Sequence, residues 1–200
     1  MSLIVGLTGQ TGAGKTTVSR VFADNGFFVI NCDELTRNIV DSDEPANRDI
    51  KTLFPDFFTD GRFDRKKAAA ALFSDRELLT RYNNAIFPHI DRLIKSVINA
   101  GRQDGNKFIL LDAPTLFEAG IDRECGVIVG CIADKAKRIE RITARDGITE
   151  EQAAARISAQ HDDVFFRENC DYVIENSGDI KALEAAAKKM ICEIKTKPEQ

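Results

Sequence analysis

Five stretches of the chain are apolar almost without interruption: residues 3–8 (LIVGLT), 27–30 (FFVI), 108–111 (FILL), 127–132 (VIVGCI) and 172–174 (YVI). None alternates apolar with polar. A strand buried on one face reads as alternation, whereas a strand covered on both faces reads as a continuous apolar run. The runs therefore predict an α/β fold, a parallel sheet with helices on each side.

Helical spacing fills the intervals. In residues 15–25, Val18, Val21 and Phe22 recur at steps of three and four and lie on one face, with Gly26 placed as a C-terminal cap. Roughly 75 residues with no strand pattern separate the second and third runs, too many for a loop in a compact domain. Within them, residues 66–71 and 86–100 read as helical, the second carrying Ile90, Leu93, Ile94, Val97 and Ile98 at helical steps. This predicts a helical insertion, about residues 41–105, at one edge of the sheet and serving as a substrate-binding subdomain. After the fourth run, residues 135–145 form a helix. Thr149 to Gln152 matches a capping box that opens another, running through Ile157. A last helix covers 180–194, and the polar tail 195–200 is expected to fray.

Composition narrows the partners. Of 200 residues, 43% are hydrophobic and 30% charged, which is globular composition. A net charge of −4 argues against general adhesion to nucleic acid. No apolar run approaches the roughly 20 residues needed to cross a bilayer, and residues 1–6 lack a signal-peptide pattern, so no membrane partner and a cytoplasmic location are expected. Cys32, Cys125, Cys131, Cys170 and Cys192 are odd in number and form no Cys-x-x-Cys, which disfavours a disulfide framework or zinc site.

One motif carries chemistry. Gly9-Gln10-Thr11-Gly12-Ala13-Gly14-Lys15-Thr16 fits G-x-x-x-x-G-K-[ST] and sits between an expected strand and an expected helix. Glycines let the backbone turn its N–H groups onto phosphate oxygens, and the helix start adds positive potential. Lys15 reaches the β- and γ-phosphates and the Thr16 hydroxyl coordinates Mg²⁺. The competing explanation is a chance glycine-rich turn.

Carboxylates and arginines extend the picture. Asp33 is expected to end the second strand, read through Val29-Ile30-Asn31-Cys32-Asp33, where strand ends face the ligand crevice, and it can accept or orient the proton of an attacking hydroxyl. It can equally cap a helix containing Leu35 and Ile39. Asp112 ends the third run, a position suited to holding Mg²⁺. Arg138, Arg141 and Arg145 share one helix face. They read either as a solvated charged face or as a lid that neutralises a transferred phosphoryl group. His89 and His161 have no paired acid or second ligand at sensible spacing and read as surface or core residues, and Cys32 reads as a small buried apolar residue.

In this order the motifs resemble the dephospho-coenzyme A kinase family over nearly the whole chain. Gly6 to Gly9 with Gly12 to Thr17 is similar to its phosphate loop. Residues 29–33 with Arg37 resemble its Asp-x-Asp segment, and Pro114-Thr115-Leu116-Phe117-Glu118 its Pro-Leu-Leu-Phe-Glu turn. Residues 138–146, Thr149 and 156–160 resemble its lid, and residues 171–174 with Asn176 and Gly178 its closing signature. Asn31, Thr115 and Phe87 stand where the family usually has Asp, Leu and His.

The resemblance implies ATP-dependent phosphorylation of the ribose 3′-hydroxyl of dephospho-CoA, with Mg²⁺. It implies a three-layer P-loop kinase with a five-stranded sheet in the order 2-3-1-4-5, a CoA-binding insertion and a lid at about 138–166. It makes Asp33, Lys15 and Arg141 catalytic. ATP would meet Gly9, Thr11, Gly12, Ala13, Gly14, Lys15, Thr16, Thr17, Arg138, Arg145 and Asn176. The acceptor would meet Asp33, Arg37, Pro114, Leu116 and Glu118, and the metal Thr16 and Asp112. A nucleoside or nucleoside-monophosphate kinase is the alternative enzyme, and a nucleotide-binding switch the non-enzymatic one. A monomer or weak homo-oligomer is expected.

Overall fold

The computed structural model describes residues 2–196, the Phe73 side chain excepted. Residues 197–200 of the polar tail lie outside this range. The chain divides into two compact units, residues 1–31 with 101–200, and Cys32–Ala100.

The first unit is built on β1 (Leu3–Gly9), β2 (Phe28–Asn31), β5 (Phe108–Asp112), β6 (Val127–Ile132) and β7 (Tyr172–Glu175). They form one parallel sheet in the order β2-β5-β1-β6-β7. The numbers three and four go to a short hairpin elsewhere. Among the sheet strands alone, the order is 2-3-1-4-5. β1 is central, and its Val5 and Leu7 are fully buried. The register sets Leu7 beside Asp112, Gly9 beside Cys131 and Asn31 beside Asp112, so chemistry-bearing residues gather at the C-terminal ends of adjacent strands.

Helix α1 (Lys15–Asp24) and the last helix, α10 (Ile180–Thr196), cover one side of this sheet. Val18, Val21 and Phe22 of α1 share a cluster with Leu183, Ala187, Met190, Ile191 and Ile194 of α10. Gly26 closes α1 as its composition predicts. Its φ is +79°, its N–H donates to the Ala23 carbonyl (3.0 Å), and the Phe27 N–H donates to Phe22 (3.2 Å). The Phe22 and Phe27 rings then meet edge-on at 4.8 Å, the apolar contact that completes a Schellman motif. Helix α10 continues through Thr196, so residues 195–196 are ordered helix and not a frayed end.

The second unit holds α2 (Cys32–Thr36), α3 (Ile39–Ser42), α4 (Glu44–Leu53), α5 (Arg65–Ser74) and most of α6 (Arg76–Gln103). Its core joins Ile39, Val40, Ile50, Phe54, Phe57 and Ile86. The expectation of no strand here is corrected: β3 (Phe58–Thr59) pairs antiparallel with β4 (Arg62–Phe63). Two-residue strands carry no periodicity, but the turn was written in Asp60-Gly61, whose φ values of 50° and 78° are those of a type I′ turn.

His89 is a core residue, and it gains acid partners that its sequence neighbourhood did not show. It is buried, with Nε2 3.1 Å from Asp49 Oδ2 and Nδ1 3.6 Å from Asp43 Oδ2. Asp43 caps α4 through the Ala46 N–H and pairs with Arg92 at 2.6 Å. Both acids lie some 40 residues upstream, on another helix of the unit, beyond the reach of a local reading.

Helices α7 (Lys135–Asp146), α8 (Glu150–Ser158) and α9 (Asp163–Asn169) follow β6 in the first unit. The expected capping box at Thr149 is formed in full, while α9 had no anticipated counterpart. No described helix is long and apolar enough to cross a membrane. Phe22 is fully buried. Phe22→Ala should therefore lower unfolding free energy by about 3–5 kcal/mol, seen as a lower urea midpoint.

Candidate active site

β1 runs directly into the glycine loop. Gly9 has a φ of +144°, and a Cβ there would lie 2.3 Å from the Cys131 carbonyl oxygen, so only glycine fits. The Gln10 N–H donates to that same carbonyl (2.9 Å). Gly14, at φ +97°, opens α1 without a side-chain cap, and the first turn of α1 holds no acidic residue. The free N–H groups and the helix dipole are thus uncompensated by the protein, which is the electrostatic condition for an anion.

Lys15 and Asp112 form an ion pair, both side chains largely buried. Thr16, in the first turn of α1, is exposed. Arg138 is buried; its Nε donates to the Thr11 carbonyl (2.9 Å) and its Nη2 to Gln160 Oε1 (3.0 Å). Burial pulls its guanidinium below the usual arginine value, opposed by the charge of Asp163. Arg141 donates to the Gly12 carbonyl (3.1 Å) and to Asn176 Oδ1 (3.4 Å). Asn176, also buried, donates to the Ala13 carbonyl (2.9 Å). Arg141 and Asn176 line a cleft of about 700 Å³ together with Gly14, Thr17, Ile180 and Leu183.

Arg138 and Arg141 are therefore no solvated face, for both seat against loop carbonyls. Arg145 departs from the expected trio. It pairs with Asp146 through Nε (2.7 Å) and Nη2 (3.0 Å), at an exposed site beside Arg156. Seven residues along a helix of 3.6 per turn return to the same side, but two turns higher, beyond the loop. The Arg145 fork, with Arg156, holds the Asp146 carboxyl down at about 2.

The remaining expected residues scatter by unit. In the first, the Thr8 hydroxyl donates to the Pro114 carbonyl (3.1 Å), which seats the turn beside β1. Leu116 is fully buried and close enough to Gly6 that a Cβ there would meet it at 2.8 Å, so its side chain packs inward. Glu118 lies 3.5 Å from His161 Nε2, which gives His161 the acid it lacked in sequence.

Asp33 and Arg37 belong to the second unit. The second strand ends at Asn31, so Asp33 does not terminate it. It is an exposed residue in the first turn of α2, not its cap, and Leu35 and Ile39 belong to different helices. The Arg37 N–H donates to the Asp33 carbonyl (3.0 Å), and the Arg37 carbonyl accepts from Arg65 (2.7 Å). Cys32 is buried, as expected.

Sequence reading placed Gln10 in the glycine motif and Gln160 at the end of the lid-like segment 156–160, but gave neither a role of its own. Gln10 is buried, accepts from the Ala133 N–H (3.3 Å) and donates to Asp163 Oδ1 (2.7 Å). Gln160 bonds Thr11 at two points, with its Oε1 accepting the N–H (2.9 Å) and its Nε2 donating to the hydroxyl (3.0 Å). No local pattern shows what either residue bonds: apart from Arg138, 22 positions from Gln160, their partners lie more than 120 positions away.

A glycine loop joining the central strand of a parallel sheet to a helix, with lysine, carboxylate and arginines converging on it, defines a phosphate-loop kinase. Residues 3–182 match the model of the dephospho-CoA kinase family, and the chain belongs to that family. A dephospho-CoA kinase of Corynebacterium glutamicum is 32% identical over 96% of this chain and 97% of its own. A crystal structure from Thermus thermophilus is 30% identical, with a TM-score of 0.81 over 96% of this chain and 98% of that one. The dephospho-CoA kinase of Campylobacter jejuni, 23% identical, shares the fold with a TM-score of 0.71 over 97% and 98% of the two chains.

The two kinds of arginine should separate on mutation. Arg138→Ala leaves buried acceptors unpaired and should cost about 1–3 kcal/mol in urea unfolding, while Arg145→Ala should stay within about 0.5 kcal/mol. Because the folded-state value of Asp146 is depressed, its contribution is present above 3.8 and fades as pH falls toward 2. In Arg145→Ala the carboxyl should titrate closer to 3.8 by NMR.

Proposed function

We propose that this protein transfers the γ-phosphoryl group of ATP to the ribose 3′-hydroxyl of dephospho-CoA, giving coenzyme A and ADP. The observation that carries this reading is the loop of Gly9 to Thr16, uncapped at α1 and held by Arg138, Arg141 and Asn176, in a chain of the dephospho-CoA kinase family.

The chemistry needs five contributions. The loop N–H groups and Lys15 bind the β- and γ-phosphates. Arg141, and Arg138 behind it, neutralise charge that builds on the phosphoryl oxygens. Asp33 orients the hydroxyl and accepts its proton as the new oxygen–phosphorus bond forms and the bond to the ADP oxygen breaks. The helical insertion of about 41–105 holds the CoA moiety, and the segment of about 138–166 shields the reacting groups from water.

Mg²⁺ fits the donors present. Thr16 offers a hydroxyl and Asp112 a carboxylate, both hard oxygen ligands, and among the described residues no cluster of three or more His, Cys, Asp or Glu side chains could cage a metal alone. Such a site suits an ion that arrives with nucleotide phosphates, where it would neutralise charge between the β- and γ-groups.

A coupled assay of ADP release with Mg²⁺ tests the reading. ADP release should depend on dephospho-CoA; a rate equal with and without it, or a faster rate with a nucleoside, would refute the assignment. Asp33→Asn should lose roughly 10²–10⁴-fold in turnover with ATP binding intact. Lys15→Ala should abolish transfer while far-UV circular dichroism stays that of the parent.

A further inference from the structure

Thr11 is held from outside the loop at each of its polar groups. Its N–H donates to Gln160 Oε1 (2.9 Å), its hydroxyl accepts from Gln160 Nε2 (3.0 Å), and its carbonyl accepts from Arg138 Nε (2.9 Å). Arg138 Nη2 donates to the same Gln160 oxygen at 3.0 Å. One amide side chain thus ties the loop peptide and the buried guanidinium to each other.

Gln160 follows α8, in the short connection to α9, and that connection has its own anchors. Gln10, next to Thr11, donates to Asp163 Oδ1 (2.7 Å) and to the His161 carbonyl (3.5 Å). The His161 ring stacks on Phe165 with centroids 3.6 Å apart, and Phe165 meets Phe117 edge-on at 5.1 Å. The segment is therefore fixed on its far side by the 114–118 turn, and it can hold Gln160 still.

We propose that Gln160 is a positioning residue for phosphoryl transfer, latching the Thr11 peptide and Arg138 into one patch so that the loop meets nucleotide already ordered. It touches no reacting atom. Its effect comes from preorganisation, since a loop that must be ordered at binding weakens affinity by the cost of ordering. The inference rests on Gly9 to Thr16 being the nucleotide loop, not on which acceptor is used.

Gln160→Met keeps the length of the side chain and removes its donors and acceptors. The test is Mg²⁺·ADP binding by calorimetry on the full chain, with KM values for both substrates and exchange of the Thr11 amide by NMR. ADP affinity should fall about tenfold and the KM for ATP should rise in step. The KM for dephospho-CoA should stay within about twofold, and the Thr11 amide should exchange faster. Unchanged ADP affinity with faster exchange would overturn the proposal, as would equal rises in both KM values. If Gln160→Met melts appreciably lower than the parent, Thr11→Val removes only the hydroxyl bond of the same latch. It should weaken ADP about threefold, and no change there would also overturn the proposal. Because ADP binding is read without an acceptor, a protein inactive on dephospho-CoA still decides this question.

Discussion

Gly9 lies so close to the neighbouring strand that a side chain would overlap the Cys131 carbonyl. That contact fixes where β1 must end and turn, and the rest of the site follows from it. The loop can curl back onto itself only because Gly12 and Gly14 accept positive φ values. The curl points Lys15 toward Asp112 on β5 and leaves the start of α1 uncapped. A tight backbone approach between two parallel strands thereby becomes an electropositive cradle.

A loop that turns backbone N–H groups toward an anion has carbonyls facing the other way, and these need partners. Arg138, Arg141 and Asn176 supply them, at Thr11, Gly12 and Ala13 in turn. The same three side chains arrive from α7 and from the segment after β7, so the loop is braced by elements far along the chain. Burying Arg138 costs solvation, which depresses its guanidinium; the hydrogen bonds it makes and the nearby Asp163 offset that cost. The net charge of −4 hides this arrangement, because a whole-chain sum averages away a local concentration of positive groups.

The sheet was legible because its strands are covered on both faces and read as unbroken apolar runs; the run at 127–132 matches β6 residue for residue. The helical caps at Gly26 and Thr149 were equally plain, since each is a local hydrogen-bond pattern with its own residue signature. The hairpin at Phe58–Phe63 was passed over because two-residue strands have no period. Asp33 was placed on a strand end because it follows the apolar run 27–30 within three positions; the strand ends at Asn31 and the helix begins at Cys32. Three arginines at helical spacing looked equivalent. Only two face the loop, because Arg145 finds a nearer partner in Asp146.

The sequence by itself determined the class of fold, the glycine loop and its lysine, and the family to which they belong. These rest on short-range constraints: apolar periodicity, positive φ at glycine, a fixed spacing along one turn. Only the tertiary structure decided which polar groups meet. Gln160 on Thr11, Glu118 beside His161 and the two aspartates around His89 join residues tens to more than a hundred positions apart. Such pairs leave no local pattern, because a polar side chain requires a partner of the right chemistry and does not specify where along the chain that partner lies.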